Sequence, residues 1–237
     1  MNIFGITEHK HNTKNLYKDF NDVVSEEGKY NYRLFSLRLW DLHECIDNLK
    51  LRRNDVVLEF GAWNTYGAIY IANKAKHVYT TDNFKWADRT YAFKFGDMTE
   101  KGTCSTDRWI SEFEDYDNIT AEMAEIENLH YKDNTFDKIY SISVIEHVPN
   151  DLNALNEAYR VLKRGGIFTF TFEFHPTEMR EFNAETGYYR VYTPDDIINL
   201  IDKSNFKLSR KELNLLKLSK NYNLDSEFTS ASITLKK

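Results

Sequence analysis

Residues 56–72, VVLEFGAWNTYGAIYIA, decide the fold of this 237-residue chain. The stretch opens with an apolar, β-branched run that predicts a buried strand. It turns through Glu59, Phe60 and Gly61, and continues in a helix-like pattern of alanine and isoleucine. A strand that ends in an acid and a glycine and leads into a helix is typical of a cofactor-binding turn. The second glycine expected of such a turn is replaced by Trp63.

Strand and helix patterns alternate along the rest of the chain. Further strands are predicted at 77–82, 121–126, 136–143, 166–174, 207–213 and 230–237. Helices are predicted at 151–164 and 193–204. This alternation predicts an α/β fold: a seven-stranded, mostly parallel sheet with helices on both faces and an antiparallel last strand.

Capping residues support both helices. Asn150 or Asp151 can cap the start of the first, and Gly165 can supply a left-handed residue after its end. Thr193 is the predicted N-cap of the second, with Pro194 in its first turn.

The chain is interpreted as a single domain, residues 1–237, because it contains no repeat or linker. Residues 1–50 are expected to form a helical cap, most strongly over 35–49. Residues 83–120 are aperiodic and rich in aromatic and charged residues, so we expect an insertion that acts as a lid.

Bulk composition excludes several classes of protein. The net charge of −6 is spread along the chain, which argues against nucleic-acid binding. No apolar window is long enough for a membrane span, and no signal peptide is visible in the first twenty residues. Cys45 and Cys104 are far apart, which predicts reduced thiols, a cytoplasmic location and no metal site.

Three acids lie at or near the ends of predicted strands: Glu59, Asp82 and Glu125. In an open α/β sheet, ligands bind beyond the carboxyl ends of the strands. An acid after the second strand commonly accepts hydrogen bonds from ribose hydroxyls, and one after the third could accept from an adenine amino group. A single strand-end acid is more often a solvated turn residue, but three in register predict a nucleotide-type site.

These segments resemble the class I S-adenosylmethionine-dependent methyltransferases, in the small-molecule (ubiquinone/menaquinone-biosynthesis-like, methyltransferase type 11) group. VLEFGAWNT, at 57–65, resembles that family's first motif, acid-x-Gly-x-Gly-x-Gly. AEIENLHYKDNTFDKIYSISVIEHV, at 124–148, and LNEAYRVLKRGGIFTF, at 155–170, resemble its later, more specific segments. The resemblance spans roughly residues 55–210.

The resemblance implies a cofactor, S-adenosyl-L-methionine, with S-adenosyl-L-homocysteine as product. Glu59 would orient the loop near the methionine amino group, and Gly61 would allow close backbone approach. Asp82, followed by Asn83, would hold the ribose, while Glu125 and the backbone of Ile126 would face the adenine. Ser141 and Ser143 would line the methionine side.

The loop departs from the family pattern at Trp63 and Thr65, which replace the second and third glycines. The sequence therefore predicts a cofactor loop with a modified path, in which Trp63 takes part. A decayed site that no longer binds cofactor is the alternative. A dinucleotide fingerprint, a P-loop, a DNA amino-methyltransferase tetrad and a Pro-Cys nucleophile are all missing from the sequence.

Methyl transfer to a hydroxyl needs alignment and a proton acceptor. The candidate bases are His175, His147, Glu173 and Glu146, just past the fourth and fifth strands.

The acceptor side is predicted from aromatic and charged residues. Trp86 and Trp109 in the insertion, with Tyr188 and Arg190 before the last helix, are candidates for substrate binding. They favour O-methylation of a sugar or surface-polysaccharide precursor. A natural-product or quinone-precursor acceptor, or a cofactor-binding subunit without activity, are alternatives, and a homodimer is possible.

Overall fold

The computed structural model describes residues 2–3, 36–62, 67–84, 106–184, 187–208 and 229–237. The strands are β1 (Asn2–Ile3), β2 (Val56–Phe60), β3 (His77–Asp82), β4 (Ile119–Met123), β5 (Phe136–Ile142), β6 (Leu162–Phe174), β7 (Arg180–Ala184), β8 (Gly187–Val191) and β9 (Thr229–Lys236). The helices are α1 (Ser36–Leu49), α2 (Gly67–Ala72), α3 (Thr106–Ser111), α4 (Asp151–Val161) and α5 (Pro194–Lys203), with a 3₁₀ turn at Ile145–His147.

One sheet organises the described residues, with strand order β1-β9-β6-β5-β2-β3-β4. Strands β2 to β6 run parallel, and β9 pairs antiparallel with β6. The predicted mostly parallel sheet with an antiparallel last strand is therefore confirmed. Its seventh strand within the described residues is the two-residue β1, which pairs with β9. Residues 209–213 of the predicted strand 207–213 lie outside the described residues.

The sheet separates two apolar cores. Strand β6 shows why, since its phenylalanines at 168, 170, 172 and 174 pack on the α4 and α5 side. Its alternate residues Thr169 and Thr171 face the other side with period 2. There α1, α2 and α3 cover Val57, Val78 and Tyr140. Helices on both faces are thus confirmed.

Some boundaries differ from the sequence prediction. Helix α4 ends at Val161, three residues before the predicted end, because Leu162 already adopts extended backbone and pairs with Phe136. Gly165 is left-handed, at φ 76°, but lies within β6 and not directly after the helix. Strand β4 begins and ends earlier than predicted, so Glu125 lies beyond its carboxyl end.

Side-chain caps define the first residues of α4 and α5, which pack on the same face of the sheet. Of the two candidate caps, Asn150 is the N-cap of α4, since its side chain accepts from the Asn153 backbone N–H. Thr193 caps α5 and forms a capping box with Asp196. These caps start α4 and α5 next to the carboxyl ends of β5 and β6.

No helix among the described residues is both long enough and apolar enough to traverse a lipid bilayer.

Candidate functional site

Three neighbouring strands end in left-handed backbone. Gly61 follows β2 at φ 70°, Phe84 lies two residues after β3 at φ 53°, and Ser143 follows β5 at φ 50°. Such backbone costs roughly 1–3 kcal/mol at a residue other than glycine, and is found most often at functional sites. The carboxyl edge formed by β3, β2 and β5 is therefore the candidate ligand site.

Gly61 brings two of these loops into contact. A Cβ at this position would lie 2.1 Å from Val144 Cγ2, and the left-handed φ also disfavours any side chain. The loop after β2 and the loop after β5 therefore pack together only because residue 61 is glycine. Ala62 N donates to Thr81 O at 3.0 Å, which holds the same loop against β3.

Glu59 lies buried beneath this loop, with only 2% of its surface exposed. Thr80 Oγ1 donates to Glu59 Oε2 at 2.6 Å, and Glu59 Oε1 is 3.4 Å from where a Cβ of Gly67 would stand. The Tyr140 hydroxyl lies against Gly67 as well, and its pKa is raised by burial and by Glu59. Tyr140 therefore stays protonated beside the carboxylate. Residues 63–66, the loop that Glu59 is expected to orient, lie outside the described residues.

Asp82 ends β3 at the same edge and is 8% exposed. Its Oδ1 accepts from Phe84 N at 2.7 Å, which stabilises the left-handed turn. A carboxylate has about four lone-pair sites, so it can accept ribose hydroxyls as well.

Glu125 lies two residues past β4 and is partly exposed. Asn83 Nδ2 donates to Glu125 Oε2 at 3.1 Å, which joins two of the predicted cofactor residues. Ile126 is buried in the core, so any contact with adenine would come from its backbone, as predicted. Met123 is 54% exposed and pairs in register with Asp82. The acids at 59, 82 and 125 thus end adjacent strands along one edge.

The two serines at the carboxyl end of β5 differ in position, since Ser141 lies within the strand and Ser143 follows it. Ser141 is 1% exposed, and its Oγ donates to Phe60 O at 3.1 Å, so the side chain ties β5 to β2. This buried position favours a structural role over the predicted contact with the methionine side. Ser143 is the left-handed residue at the edge, and its N donates to Thr171 O at 3.2 Å.

His175 is held as a turn cap. Its Nδ1 accepts from the backbone N–H groups of Glu178, at 2.9 Å, and Thr177, at 3.3 Å. An accepting Nδ1 places the proton of the neutral ring on Nε2. In this tautomer Nδ1 is already engaged and Nε2 carries the proton, so neither nitrogen can take a proton from the substrate that is methylated. The structure therefore disfavours His175 as the base.

The other candidate bases lie on different elements. Glu173 shares a register position with Ser230, and lies on the α1 side of β6, as Thr171 does. Glu146 is fully buried. His147 ends the 3₁₀ turn, is partly exposed, and its ring centroid lies 5.5 Å from that of Tyr189 on β8. Of these candidates, His147 combines exposure with a position at the carboxyl edge.

Of the predicted acceptor residues, only Trp109 and Arg190 have described side chains. Trp109 is 1% exposed and packs against Phe84 and Phe113, at centroid distances of 5.1 and 5.2 Å. Its burial favours packing over the predicted substrate contact. Trp63 and Trp86 lie outside the described residues, and Tyr188 lies on β8 without a described side chain.

Arg190 forms a structural clamp. It pairs with Asp151 at the start of α4, and Tyr192 Oη donates to Asp151 Oδ2 at 3.0 Å and to Ile145 O at 3.2 Å. Burial is the main cause that raises the pKa of Tyr192. The β7–β8 hairpin is thereby fixed to the 3₁₀ turn that carries His147, which favours a structural role for Arg190 over the predicted substrate contact.

Sequence reasoning missed this clamp, and also Tyr140 and Val144. Tyr140 carried a signal, since a hydroxyl in a buried strand needs a polar neighbour. Val144 carried none, because its contact with Gly61 depends on how two loops meet.

Within the described residues, no group of three or more His, Cys, Asp or Glu side chains could hold a metal ion.

Comparison with known proteins finds similarity to methyltransferases over part of the chain. A family model described as "Methyltransferase domain" matches residues 102–170. The chain is 37% identical over 62 residues to the sterol 24-C-methyltransferase of Eremothecium gossypii, which is 26% of this chain and 16% of that protein. It is 43% identical over 51 residues to a chloroplastic 2-methyl-6-phytyl-1,4-hydroquinone methyltransferase of Oryza sativa subsp. japonica, 22% of this chain and 16% of that protein. The matches span 16% of the length of each of these relatives.

Solved structures share the fold across the chain. The crystal structure of Burkholderia thailandensis 1,6-didemethyltoxoflavin-N1-methyltransferase, with bound 1,6-didemethyltoxoflavin and S-adenosylhomocysteine, has a TM-score of 0.61 and 14% identity. The match covers all of this chain and 92% of that one. The resemblance predicted from the sequence is confirmed, by the family model over residues 102–170 and by the fold more widely.

Proposed function

We propose that the chain is an S-adenosylmethionine-dependent methyltransferase acting on a small polar acceptor. A methyltransferase family model that includes β4 and β5, and the fold shared with a solved methyltransferase structure, support this proposal. Residues 1–237 form one methyltransferase domain in this proposal. Of the predicted lid at 83–120, residues 85–105 lie outside the described residues, and Ile119 and Thr120 belong to β4. The cofactor lies along the edge formed by β4, β3, β2 and β5.

The observation that carries this proposal is the row of acids at the ends of β2, β3 and the loop after β4. Asp82 accepts the ribose hydroxyls, and Glu125 accepts from the adenine amino group. Gly61 has no side chain, which lets the loops after β2 and β5 pack together at this edge. Carboxylates at these positions can accept hydrogen bonds from the ribose and the adenine of a nucleoside cofactor.

Bound S-adenosylmethionine supplies an electrophilic methyl group on a positively charged sulfur. The protein then has three tasks: to align the acceptor, to exclude water and to accept the acceptor's proton. Alignment alone contributes roughly 7–11 kcal/mol to barrier reduction. His147 is the described candidate to accept the proton, from its partly exposed position beside the hairpin.

The proposed acceptor remains a sugar or surface-polysaccharide precursor that is O-methylated. Its support is the composition of residues 85–105, where Trp86, Tyr91, Phe93 and Phe95 alternate with basic residues. The burial of Trp109 removes one part of that support. A quinone precursor is the second candidate, favoured by the similarity to a hydroquinone methyltransferase.

Calorimetric titration with S-adenosylmethionine, followed by a methyl-transfer assay on sugar, quinol and natural-product acceptors, tests the proposal. We expect cofactor binding and formation of S-adenosylhomocysteine with one acceptor class. The absence of any binding would contradict the function. Binding without turnover on the whole panel would favour the cofactor-binding subunit without activity.

A further inference from the structure

Asn83 and Glu125 belong to loops that leave neighbouring strands side by side. Asp82 and Met123 pair in register at the ends of β3 and β4. Ala124 N then donates to Asp82 O at 3.1 Å, which continues the pairing one step past the strands. Asn83 and Glu125 follow directly, and the amide of Asn83 donates to Glu125 Oε2 at 3.1 Å. The position of this contact is therefore set by the sheet.

The Asn83–Glu125 pair lies where a ligand can reach it. Both side chains are partly exposed, unlike the buried polar residues Glu59 and Ser141 on the neighbouring strands. Next to them, Met123 leaves an apolar side chain 54% exposed at the same edge. A hydrogen bond between two partly exposed side chains adds little to folding, so its geometry matters more for a bound group.

An amide that donates to one carboxylate oxygen limits how that carboxylate can rotate. The hydrogen bond is charge-assisted, and thus stronger than one between neutral groups. We propose that Asn83 is a positioning residue, which holds the Glu125 carboxylate so that it accepts a hydrogen bond from the 6-amino group of adenine. Asn83 thereby sets the preference for adenine over hypoxanthine without itself contacting the 6-position.

This inference rests on the proposed function, since it concerns the same cofactor. Hypoxanthine carries an oxygen where adenine carries the amino group. A carboxylate held at this position would face that oxygen, with no hydrogen to share between the two acceptors. The cost of such a mismatch depends on how firmly the carboxylate is held.

The test measures two affinities by calorimetry, for S-adenosylhomocysteine and for S-inosylhomocysteine, in which the 6-amino group is replaced by oxygen. The wild-type protein should bind the adenosyl compound about tenfold or more tightly than the inosyl compound. Asn83→Ala should weaken binding of the adenosyl compound about 3–10-fold, and binding of the inosyl compound less than about twofold.

Two further variants make the test specific. Glu125→Ala should itself reduce the preference, and adding Asn83→Ala to it should change neither affinity, because Asn83 acts through the carboxylate. Asn73→Ala is the matched control. It removes an exposed asparagine amide that donates to Ile69 O at the end of α2, and should leave both affinities unchanged.

The possible failures are distinguishable. If the wild-type protein does not bind S-adenosylhomocysteine, the proposed function and this inference both fall. If it binds, but Asn83→Ala weakens both compounds equally or neither, the inference is overturned and the proposed function stands.

Discussion

At the scale of single residues, Gly61 is the position where a small change has the largest predicted effect. Gly61→Ala introduces a Cβ that overlaps Val144. It also forces an alanine into the left-handed φ of residue 61. We expect a loss of about 2–4 kcal/mol in the free energy of unfolding, from backbone strain and overpacking together. Urea unfolding of Gly61→Ala and of Gly61→Ala/Val144→Ala separates the two, since the double variant should recover stability. A double variant no more stable than the single one would contradict the predicted overlap.

Two substitutions distinguish a capping role of His175 from a role as the catalytic base. Asparagine can place an acceptor where Nδ1 lies, whereas glutamine reaches the position of Nε2. Because Nδ1 accepts two backbone N–H groups, His175→Asn should keep thermal stability and His175→Gln should lose about 1 kcal/mol. A base would behave differently, since both variants would then lose turnover by about 10²–10⁴-fold. Equal loss of turnover in two stable variants would restore His175 as the base.

The sequence could predict the acids at 59, 82 and 125 because a residue type at a strand end is a local property. It could not predict which side chains are already engaged. His175 and Arg190 are polar residues near the edge, which made them candidates. Their partners come from a turn that follows His175 and from α4, 39 residues before Arg190. Such partners depend on tertiary packing and leave no spacing in the sequence.

At the scale of elements, helix α3 is fixed by one aromatic side chain. Trp109 lies between Phe84, just after β3, and Phe113. Trp109→Ala should destabilise the protein by about 3–5 kcal/mol, as other buried aromatic truncations do. Urea unfolding provides the measurement, and Asp107→Ala, an exposed change on the same helix, is the control. If Trp109→Ala kept its stability but lost turnover, Trp109 would be a substrate-binding residue and not a packing residue.

The β7–β8 hairpin depends on Arg190. Its partner Asp151 is also a partner of Tyr192, and both ion-pair side chains are mostly buried, at 15% and 14% exposed. Arg190→Met keeps the length of the side chain but leaves Asp151 without the cation, at a cost of about 1–3 kcal/mol. Arg180→Met on the same hairpin breaks only an exposed pair with Glu178 and should change nothing measurable. Comparable unfolding curves for the two variants would count against the clamp.

At this scale the parallel strands of the sheet were predictable and their ends were less so, whereas the β7–β8 hairpin was not predicted. Strands β2, β3 and β5 carry apolar runs with clear ends. Helix α4 ends early because Leu162 gains more from pairing with β5 than from another helical turn. Cross-strand pairing of this kind is a long-range property that periodicity does not record.

For the whole molecule, stability should fall at alkaline pH. Burial raises the pKa of Cys45 above 9.0, and burial is also the first cause that raises the pKa of Tyr131, Tyr140 and Tyr192 above 10.0. Between these ordinary values and the raised ones, these four groups bind fewer protons in the unfolded chain than in the folded one. The stability that they contribute is therefore fully present below about pH 9 and decreases as pH rises.

Urea unfolding at intervals from pH 8 to pH 11 measures this dependence. Tyr192→Phe removes one of the titrating groups, so its stability should decrease less steeply with pH than that of the wild-type protein. A flat profile over this range in the wild-type protein would show that the tyrosines titrate alike in both states.

The central claim is that the acids at the carboxyl edge bind S-adenosylmethionine, and Asp82 tests it most directly. Asp82→Ala removes the proposed ribose acceptor, whereas Asp82→Asn keeps an oxygen that can accept from Phe84 N. Asp117→Ala, an exposed acid just before β4 at the opposite edge, is the control. Calorimetry with S-adenosylhomocysteine should show wild-type affinity in the control and at least about tenfold weaker binding in folded Asp82→Ala, with Asp82→Asn between them. Equal affinity in wild type and folded Asp82→Ala, or no binding to the wild type, would contradict the account.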